Sequence, residues 1–242
     1  MPSTHVNIDG DVLRYSAGFA AEGEPLPNLL ATLRSMIKDI VKASKATTYT
    51  VLLTRKGNFR EEIATLQPYK GNRKGSRKPD NYEESTEYLI MHQHGWFVDG
   101  EEADDQLGIR CIAHGHTIAT IDKDLDNVPG WHYNWQKKSL YYVNERDAML
   151  NFYKQLITGD ATDHIPGLYK LTGCRATAKR KAMIEDCLTA AQCYATVLSI
   201  YDDCTDEPLE VIEGWLLEIG RLLWIRWYDG EMWTPPATGE KE

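Results

Sequence analysis

His5-Val6-Asn7-Ile8-Asp9-Gly10-Asp11 is an apolar strand pattern that runs directly into two carboxylates. A second stretch of the same design, Thr117-Ile118-Ala119-Thr120-Ile121-Asp122-Lys123-Asp124, lies far along the chain. In an open α/β sheet the carboxyl ends of parallel strands meet at one edge, so carboxylates that follow separate strands can share a crevice. The two stretches therefore predict an acidic site at the edge of a parallel sheet.

Strand and helix patterns alternate outward from these two stretches, which indicates βα units and a mainly parallel sheet. Further strands are expected at Tyr49–Thr54 and Trp96–Val98, and a hairpin at Tyr133–Trp135 and Leu140–Val143. Helical patterns cover Leu29–Ala43, Asn81–His92, Glu102–Ala113, Asp147–Leu156, Thr177–Cys187, Ala190–Ile200 and Leu209–Trp227. We predict an α/β fold in which helices flank the central sheet and the C-terminal part is helical.

We expect one domain over residues 1–233, followed by a loose tail at 234–242. Within it, an α/β core spans 1–143 with a basic loop at about 66–92, and a helical part spans 144–233. The sequence has no apolar run as long as a membrane span and begins without a signal-peptide pattern, so we expect a cytoplasmic protein without a membrane partner. Five cysteines without CxxC spacing suggest buried thiols rather than a disulfide framework or a zinc site.

Charge is distributed unevenly around the net value of −9. Between Arg55 and Lys78 the sequence has eight basic residues against two acidic ones, and Lys170–Lys181 has five basic residues and no acidic one. Two basic stretches in an acidic chain suit a phosphate backbone held over an acidic reactive centre. A solvated surface loop is the alternative interpretation of the first stretch.

The carboxylates fall into four clusters: Asp9 with Asp11, Glu101 to Asp105, Asp122 with Asp124, and Asp160 with Asp163. Such clusters need cations if they share a site, and an all-oxygen ligand set suits Mg²⁺ or Mn²⁺ rather than zinc. Two such ions can ionise a water and stabilise the leaving oxygen of a phosphodiester. A lysine of the basic loop could neutralise further transition-state charge.

Five motifs in this order resemble those of the structure-specific 5′ nucleases: Asn7-Ile8-Asp9-Gly10-Asp11, Gln67–Arg73, Glu102–Asp105, Ile121–Leu125 and Thr158–Gly167. That superfamily includes flap endonucleases, the 5′-nuclease domain of bacterial DNA polymerase I and bacteriophage 5′–3′ exonucleases. The compact chain looks most like the phage members. The resemblance implies a PIN-like sheet and a metal-dependent 5′–3′ exodeoxyribonuclease or 5′ flap endonuclease, with a two-metal mechanism and a role in phage DNA replication or degradation.

The resemblance also implies roles for individual residues. One metal ion would be grouped with Asp9, Glu102 and Asp104, and the second with Asp124, Asp160 and Asp163, while Asp122 and Asp105 would lie between or behind them. Lys70 and Arg73 would reach the scissile phosphate from an arch formed by the basic loop. The DNA-binding residues would be Arg60, Tyr69, Lys74, Lys170, Arg175, Lys179 and Lys181.

The segment from Asp163 to Lys181 resembles a helix–turn–helix element that grips duplex phosphates, often with a bound K⁺. The implied partners are DNA with a 5′ end or a single-strand/duplex junction, and a DNA polymerase or single-strand-binding protein. If the protein is phage-encoded, its compartment would be the bacterial host cytoplasm.

The sequence departs from the family pattern in ways that keep alternatives open. After the second strand, Leu53-Thr54-Arg55 lacks the usual aspartate, so either one metal site has fewer ligands or Thr54 holds a water instead. Leu171–Arg175 has a single glycine where the family has two, which puts the K⁺ site in question. Asp11 is expected to stabilise the turn after the first strand rather than to bind metal. A PIN-like ribonuclease and a catalytically weak DNA-structure-binding protein remain the alternative functions.

Overall fold

The computed structural model describes residues 1–73 and 75–237. They form two compact units. The first contains 1–58, 75–144 and 225–231, and the second contains the described residues of 59–74, 145–224 and 232–242. The basic loop expected at about 66–92 thus contributes to both units, and the single domain over 1–233 stays a prediction.

The first unit contains a six-stranded sheet in the order β3-β2-β1-β4-β5-β6. Its strands are β1 (His5–Asp9), β2 (Thr48–Asn58), β3 (Gly95–Gly100), β4 (Thr117–Ala119), β5 (Gly130–Asn134) and β6 (Ser139–Val143). All neighbouring pairs are parallel except the β5–β6 hairpin. The predicted mainly parallel sheet is therefore confirmed, including its antiparallel edge.

The described residues form ten α-helices. They are α1 (Gly10–Ala20), α2 (Leu26–Ala43), α3 (Phe59–Ile63), α4 (Tyr82–His92), α5 (Ala103–His114), α6 (Glu145–Thr158), α7 (Leu168–Thr172), α8 (Ala178–Glu185), α9 (Ala190–Asp202) and α10 (Leu209–Leu223). The predicted helical C-terminal part is confirmed. No helix in the described ranges is both long and apolar enough to cross a membrane.

Both faces of the sheet are covered, as a parallel sheet requires. Val6 and Ile8 of β1 pack on one face with apolar residues of α1 and α2. On the other face, Leu52 of β2 and Ile118 of β4 pack with α5, represented by Leu107. The alternation of residues along β1 assigns Asp9 to the same face as Asn7, opposite Val6 and Ile8.

Strand β1 pairs with β2 on one side and with β4 on the other, so the order of strands reverses at β1. In a doubly wound sheet, ligands bind in the crevice outside the carboxyl ends of the strands at this reversal. Asp9 is the last residue of β1, and Asp122 follows the end of β4. The fold thus places two of the predicted site residues at the ends of the two relevant strands.

The second unit is a helical assembly around one apolar core that includes Phe152, Leu156 and Tyr201. Helices α7 and α8 form a helix–turn–helix. Gly173, with a φ of 77°, is the C-cap that follows α7, and Thr177 caps the start of α8. The positive φ favours glycine because other residues adopt it at a cost.

Two predicted helix assignments need correction. Helix α1 was not expected, because its buried face, Gly10, Leu13, Arg14, Ala17 and Gly18, has helical spacing but consists mostly of small and polar residues. The last helix was predicted to reach Trp227 but ends at Leu223. The backbone becomes extended at Trp224, and the Arg60 guanidinium accounts for the stop by donating to the carbonyl oxygens of Leu222 and Trp224 at 3.0 and 2.7 Å. Of the predicted loose tail, residues 234–237 have no regular structure and the rest lies outside the described residues.

Gly10 supports a testable prediction about packing in the first unit. A Cβ at this position would lie 2.6 Å from the carbonyl oxygen of Leu52 and 2.7 Å from Val51 Cγ1. We expect Gly10→Ala to destabilise the protein by about 1–3 kcal/mol, since the start of α1 would have to move away from β2. Gly214→Ala is the control, because its site in α10 is open and alanine favours a helix. Denaturant unfolding curves that show equal stability for Gly10→Ala and the parent would contradict this prediction.

Candidate functional site

Asp9 is held rigidly at the junction of β1 and α1. Its Oδ1 accepts a hydrogen bond from the backbone N–H of Val12 at 3.0 Å, the geometry of a helix N-cap. Its Oδ2 accepts one from the Thr120 hydroxyl at 2.7 Å. The side chain is almost completely buried, with 1% of its residue surface exposed. The carboxylate is therefore fixed in position without an ion-paired cation among these contacts.

Like charges surround Asp9. Burial is the main cause that raises the pKa of Asp9 to about 7, and the negative charges of Asp11 and Asp122 contribute to the same shift. Burial also raises the pKa of Asp11, to which Glu102 contributes in the same direction while Arg14 opposes the shift. Asp9, Asp11, Glu102 and Asp122 thus form an electrostatically linked group. We call this group, together with the nearby sequence positions Asp104 and Asp124, the first-unit acid cluster.

Asp11 is tied to the protein scaffold, as the sequence suggested. It accepts a hydrogen bond from Arg14 at 2.7 Å and one from the backbone N–H of Thr54 at 3.1 Å. Arg14 in turn donates to the Thr86 hydroxyl at 3.0 Å. The Asp11 carboxylate therefore joins α1 to β2, and Arg14 partly offsets its charge. Sequence analysis did not assign Arg14 a role, although its spacing of three from Asp11 on a helix was the available signal.

Glu102 stands at the N-terminus of α5 and is 6% exposed. Asn58 Nδ2 donates to its Oε1 at 3.2 Å. Thr54 Oγ1 accepts a hydrogen bond from the backbone N–H of Ala103 at 2.8 Å. The sequence left open whether one metal site has fewer ligands or Thr54 holds a water. The contact between Thr54 and α5 was in neither alternative. Sequence analysis also missed Asn58, because no motif marks it.

Asp105 orients the start of α5 through its contacts with the backbone. Its Oδ2 accepts a hydrogen bond from the N–H of Glu102 at 3.1 Å, and its Oδ1 accepts one from the N–H of Arg226 at 3.1 Å. The residue is fully buried. These contacts fit the place behind the metal ligands that the resemblance implied. Asp104, next to it, is half-buried.

Thr120 links the carboxylates that follow β1 and β4. Its hydroxyl donates to Asp9 and accepts a hydrogen bond from the N–H of Asp122 at 3.0 Å. Asp122 caps a 3₁₀ turn over Lys123–Asn127, accepting a hydrogen bond from the N–H of Asp124 at 2.9 Å. The strand expected over Thr117–Ile121 ends at Ala119, and Asp122 and Asp124 follow it in this turn. Sequence analysis did not identify Thr120.

The first-unit acid cluster fits a hard divalent cation by its chemistry. All donors are oxygens, and the mutual repulsion at buried Asp9 is what a bound cation would relieve. The described residues contain no group of three or more His, Cys, Asp or Glu side chains already arranged to hold a metal ion.

In the second unit, Asp163 contacts both of the predicted catalytic cations, Lys70 and Arg73. It forms an ion pair with Arg73, and its Oδ2 lies 3.7 Å from Lys70 Nζ. Tyr69 Oη donates to the same Oδ2 at 2.9 Å. The backbone N–H of Lys70 donates to the Asp163 carbonyl oxygen at 2.9 Å. These contacts hold the Tyr-Lys-x-x-Arg motif against the residues that precede α7.

Asp160 shapes the turn that presents Asp163. Its Oδ1 accepts hydrogen bonds from the N–H groups of Thr162 at 2.7 Å and Asp163 at 3.3 Å. Asp160 also forms a backbone bridge with Ile165. The metal roles implied for Asp160 and Asp163 stay predictions, as does the K⁺ site; the structure shows their roles in the turn and in anchoring the basic motif.

The predicted DNA-binding residues differ in their accessibility. Lys170, Arg175 and Lys179 are exposed around α7 and α8, and Lys181 is half-buried. Arg60 is a correction: it is 2% exposed and its guanidinium binds the carbonyl oxygens at the end of α10, which leaves it no surface for phosphate.

Tyr69 is a second correction to the DNA-binding set. It is buried in the core of the second unit with its hydroxyl on Asp163, so it positions that carboxylate instead of contacting DNA. Lys74 lies outside the described residues.

Comparison with solved structures shows this fold in bacteriophage T5 proteins. A structure described as divalent metal ions (zinc) bound to T5 5′-exonuclease matches with a TM-score of 0.69 at 20% identity, covering 90% of this chain and 88% of that chain. The T5 D15 protein co-crystallised with metal ions gives 0.68 at 19% identity with the same coverage. The T5 D15 flap endonuclease in a complex with DNA and metal ions matches with a TM-score of 0.54 at 18% identity, covering 89% of this chain and 98% of that chain.

No protein-family model and no curated protein matches the sequence. At identities of 18–20% the structural likeness establishes the fold. The fold implied by the resemblance to phage 5′ nucleases is therefore confirmed.

The buried charge of Asp9 leads to a prediction about stability and metal binding. Because its pKa is raised to about 7, the folded state holds the Asp9 proton up to that pH, whereas the unfolded chain releases it near the ordinary value of 3.8. Stability therefore falls as pH rises through this window. We expect Asp9→Asn to raise the melting temperature of the EDTA-treated protein at pH 7.5 and to have progressively less effect toward pH 4. The same variant should lose most of the thermal stabilisation that Mg²⁺ gives the parent.

Asp80→Asn, which removes an exposed carboxylate of the first unit, is the matched control. It should change neither the melting temperature of the EDTA-treated protein nor the stabilisation by Mg²⁺. An EDTA-treated Asp9→Asn protein that melts below the parent at pH 7.5, with an unchanged response to Mg²⁺, would refute the assignment of Asp9.

Proposed function

We propose that this protein is a divalent-metal-dependent nuclease that hydrolyses DNA from a 5′ end or at a 5′ single-strand/duplex junction. The observation that carries the proposal is the buried, mutually repelling carboxylate group at the carboxyl ends of β1 and β4, where the strand order reverses. The T5 proteins of the same fold were crystallised with metal ions and, in one case, with DNA, which supports the choice of substrate.

The ions would be Mg²⁺ or Mn²⁺, held in the first unit by carboxylates of the acid cluster: Asp9, Glu102, Asp104, Asp122 and Asp124. When bound, a pair of such ions lowers the pKa of an attacking water and neutralises charge on the scissile phosphate and the leaving oxygen. Thr120 keeps Asp9 and the Asp122 turn in register, and Asp105 keeps Glu102 at the start of α5. These two residues are positioning residues in this proposal.

In the second unit, Lys70 and Arg73 are the proposed phosphate-facing cations. Asp163 and Tyr69 hold both in place before DNA arrives. Preorganised positive charge of this kind stabilises the negative charge that grows on phosphate oxygens in the transition state. Asp163 thereby contributes by positioning the pair, whatever its part in metal binding.

Duplex phosphates would be bound by Lys170, Arg175, Lys179 and Lys181 around the helix–turn–helix of α7 and α8. Exposed cations next to backbone amides suit contacts with phosphates, which carry no sequence information. A DNA polymerase or single-strand-binding partner, a phage replication role and a cytoplasmic location remain proposals based on the family resemblance.

The decisive experiment is a 5′-labelled panel of flap, duplex and single-stranded DNA with an RNA hairpin, each incubated with Mg²⁺, Mn²⁺ or EDTA. We expect DNA cleavage with either ion and none in EDTA. Asp122→Asn combined with Asp124→Asn should abolish cleavage while leaving DNA affinity equal or higher, because charge repulsion falls as the metal ligands are removed. Asp80→Asn should cleave at the parent rate.

Several results would contradict this function. Undiminished cleavage in excess EDTA would refute metal dependence, and turnover of the double variant within about tenfold of the parent would refute the roles of the two aspartates. Cleavage of RNA but not DNA would favour a PIN-like ribonuclease. Tight junction binding without cleavage under any condition would favour a DNA-structure-binding protein.

Variants of Lys70 and of the helix–turn–helix lysines should show separate effects on the cleavage rate and on DNA binding. We expect Lys70→Ala to lower the single-turnover rate by about 100-fold with little loss of affinity, since its charge acts mainly in the transition state. Lys45→Ala is a matched control, because Lys45 is also at a positive φ (61° against 52° for Lys70) but is solvent-exposed. Lys179→Ala and Lys181→Ala should weaken binding and reduce the slope of log K against log salt by about 0.9 for each phosphate that the variant no longer neutralises.

Single-turnover rates and salt-dependent binding, measured on one 5′-flap substrate, test both the catalytic role of Lys70 and the binding role of Lys179 and Lys181. If Lys70→Ala weakens binding and leaves the rate intact, then the basic motif attracts DNA electrostatically and has no catalytic role.

A further inference from the structure

Two of the five cysteines, Cys174 and Cys204, are half-exposed and lie side by side in the second unit. The expectation that all five thiols are buried is therefore wrong for this pair. Cys174 lies in the turn after α7, and Cys204 follows the end of α9. Cys174 Sγ lies 4.0 Å from the Cys204 carbonyl oxygen, which places the two residues next to each other.

A guanidinium group stands beside this pair. Arg180 donates to Cys204 Sγ at 2.9 Å, and its other terminal nitrogen donates to the Arg175 carbonyl oxygen at 2.7 Å, which fixes the group in place. Thiolates, rather than thiols, react with oxidants, and nearby positive charge favours them. A cation held against one of two accessible, neighbouring thiols is therefore an environment that favours cysteine oxidation.

The two sulfurs are not equivalent. The hydrogen bond from Cys204 lowers the pKa of Cys174, and the Thr172 hydroxyl and the Arg180 charge contribute to the same shift. Burial is the main cause that raises the pKa of Cys204 to about 11, and Cys174 contributes to the same shift. Cys174 is thus the thiol that ionises first, with Cys204 in place to react with it afterwards.

We propose that Cys174 and Cys204 form an oxidation site at which a hydroperoxide converts the two thiols into an intramolecular disulfide.

The reaction takes place in two steps, with hydrogen peroxide as the simplest oxidant. The Cys174 thiolate attacks one peroxide oxygen; an S–O bond forms, the O–O bond breaks, and the departing hydroxide takes up a proton to become water. The Cys204 sulfur then attacks the sulfur of the resulting sulfenic acid. An S–S bond forms, the S–O bond breaks, and the oxygen leaves as water with the Cys204 proton. Two thiols are oxidised by two electrons and one peroxide is reduced to two waters.

The disulfide would join the turn between α7 and α8 to the end of α9. It would close a loop that contains all of α8 and α9, and such a crosslink restricts the unfolded chain more than the folded one. The oxidised protein should therefore be the more stable form. A thiol reductant would reverse the change by thiol–disulfide exchange.

A second pair of neighbouring thiols in the same unit is a built-in control. Cys187 contributes to the raised pKa of Cys193, but the two residues are 7% and 0% exposed, and burial is the main cause that raises this pKa to about 12. An oxidant in solution reaches neither readily. Proximity alone therefore does not distinguish the two pairs, whereas exposure and the Arg180 contact do.

The test treats the folded, full-length protein with hydrogen peroxide and blocks remaining thiols by alkylation before denaturation. We expect the intact mass to fall by two hydrogen atoms before alkylation, and a peptide map to show Cys174 linked to Cys204. Combined digestion after aromatic and basic residues resolves the partners, because Tyr194 and Tyr201 separate Cys204 from Cys187 and Cys193, and Arg175 separates Cys174 from them. The melting temperature should rise with oxidation and return after dithiothreitol.

Single substitutions assign the steps. Cys174→Ser should prevent the crosslink, whereas Cys204→Ser should leave Cys174 as a sulfenic acid that dimedone labels. Both positions are half-exposed, and serine can still accept a hydrogen bond from Arg180. A crosslink confined to Cys187 and Cys193, only intermolecular disulfides, or five unmodified thiols in the parent after peroxide treatment would each overturn the proposal. None of these readouts requires DNA or cleavage activity, so the result is independent of the proposed function.

Discussion

The buried carboxylate of Asp9 is the contact on which the arrangement of the first unit depends. It ends β1, begins α1 and holds the segment after β4 through Thr120, so one side chain connects three elements. Burying a charge next to other carboxylates is costly unless a cation or a proton neutralises it. The fold therefore accepts an electrostatic cost at the crevice where its strand order reverses, as functional sites commonly do.

The second unit solves the opposite problem. Its basic motif contains cations that would repel one another and remain mobile in solvent, and Asp163 neutralises them with help from the Tyr69 hydroxyl. A carboxylate that partly neutralises Lys70 and Arg73 also lowers their attraction for phosphate. What the arrangement gains is a defined geometry, because an ordered cation loses less side-chain entropy when it meets its ligand.

Much of the fold could be predicted from the sequence because the parallel strands are apolar runs followed by acidic residues. The positions that escaped prediction are those in which a polar side chain binds backbone far away in sequence. Arg60 looked like one more cation of a basic stretch, yet it caps a helix more than a hundred and fifty residues later. Thr120 and Asn58 escaped for a related reason: each donates to a carboxylate far away in sequence, and a hydroxyl or amide acquires such a role only when the distant residues meet. The clustered carboxylates were recognisable because several chemically similar residues occur together, whereas a lone positioning residue carries no such pattern.

The central position of β1 also has a consequence for how the protein forms. Its two neighbours in the sheet come from residues that are 43 and 111 positions later, as the pairs His5 with Thr48 and Val6 with Thr117 show. Closing loops of that length before any strand pairing rewards them makes such a topology slow to fold. During synthesis, β1 and β2 would present an unpaired, apolar strand edge until β4 had been made. The buried strand that later supports Asp9 is thus the part of the nascent chain that is most exposed to aggregation.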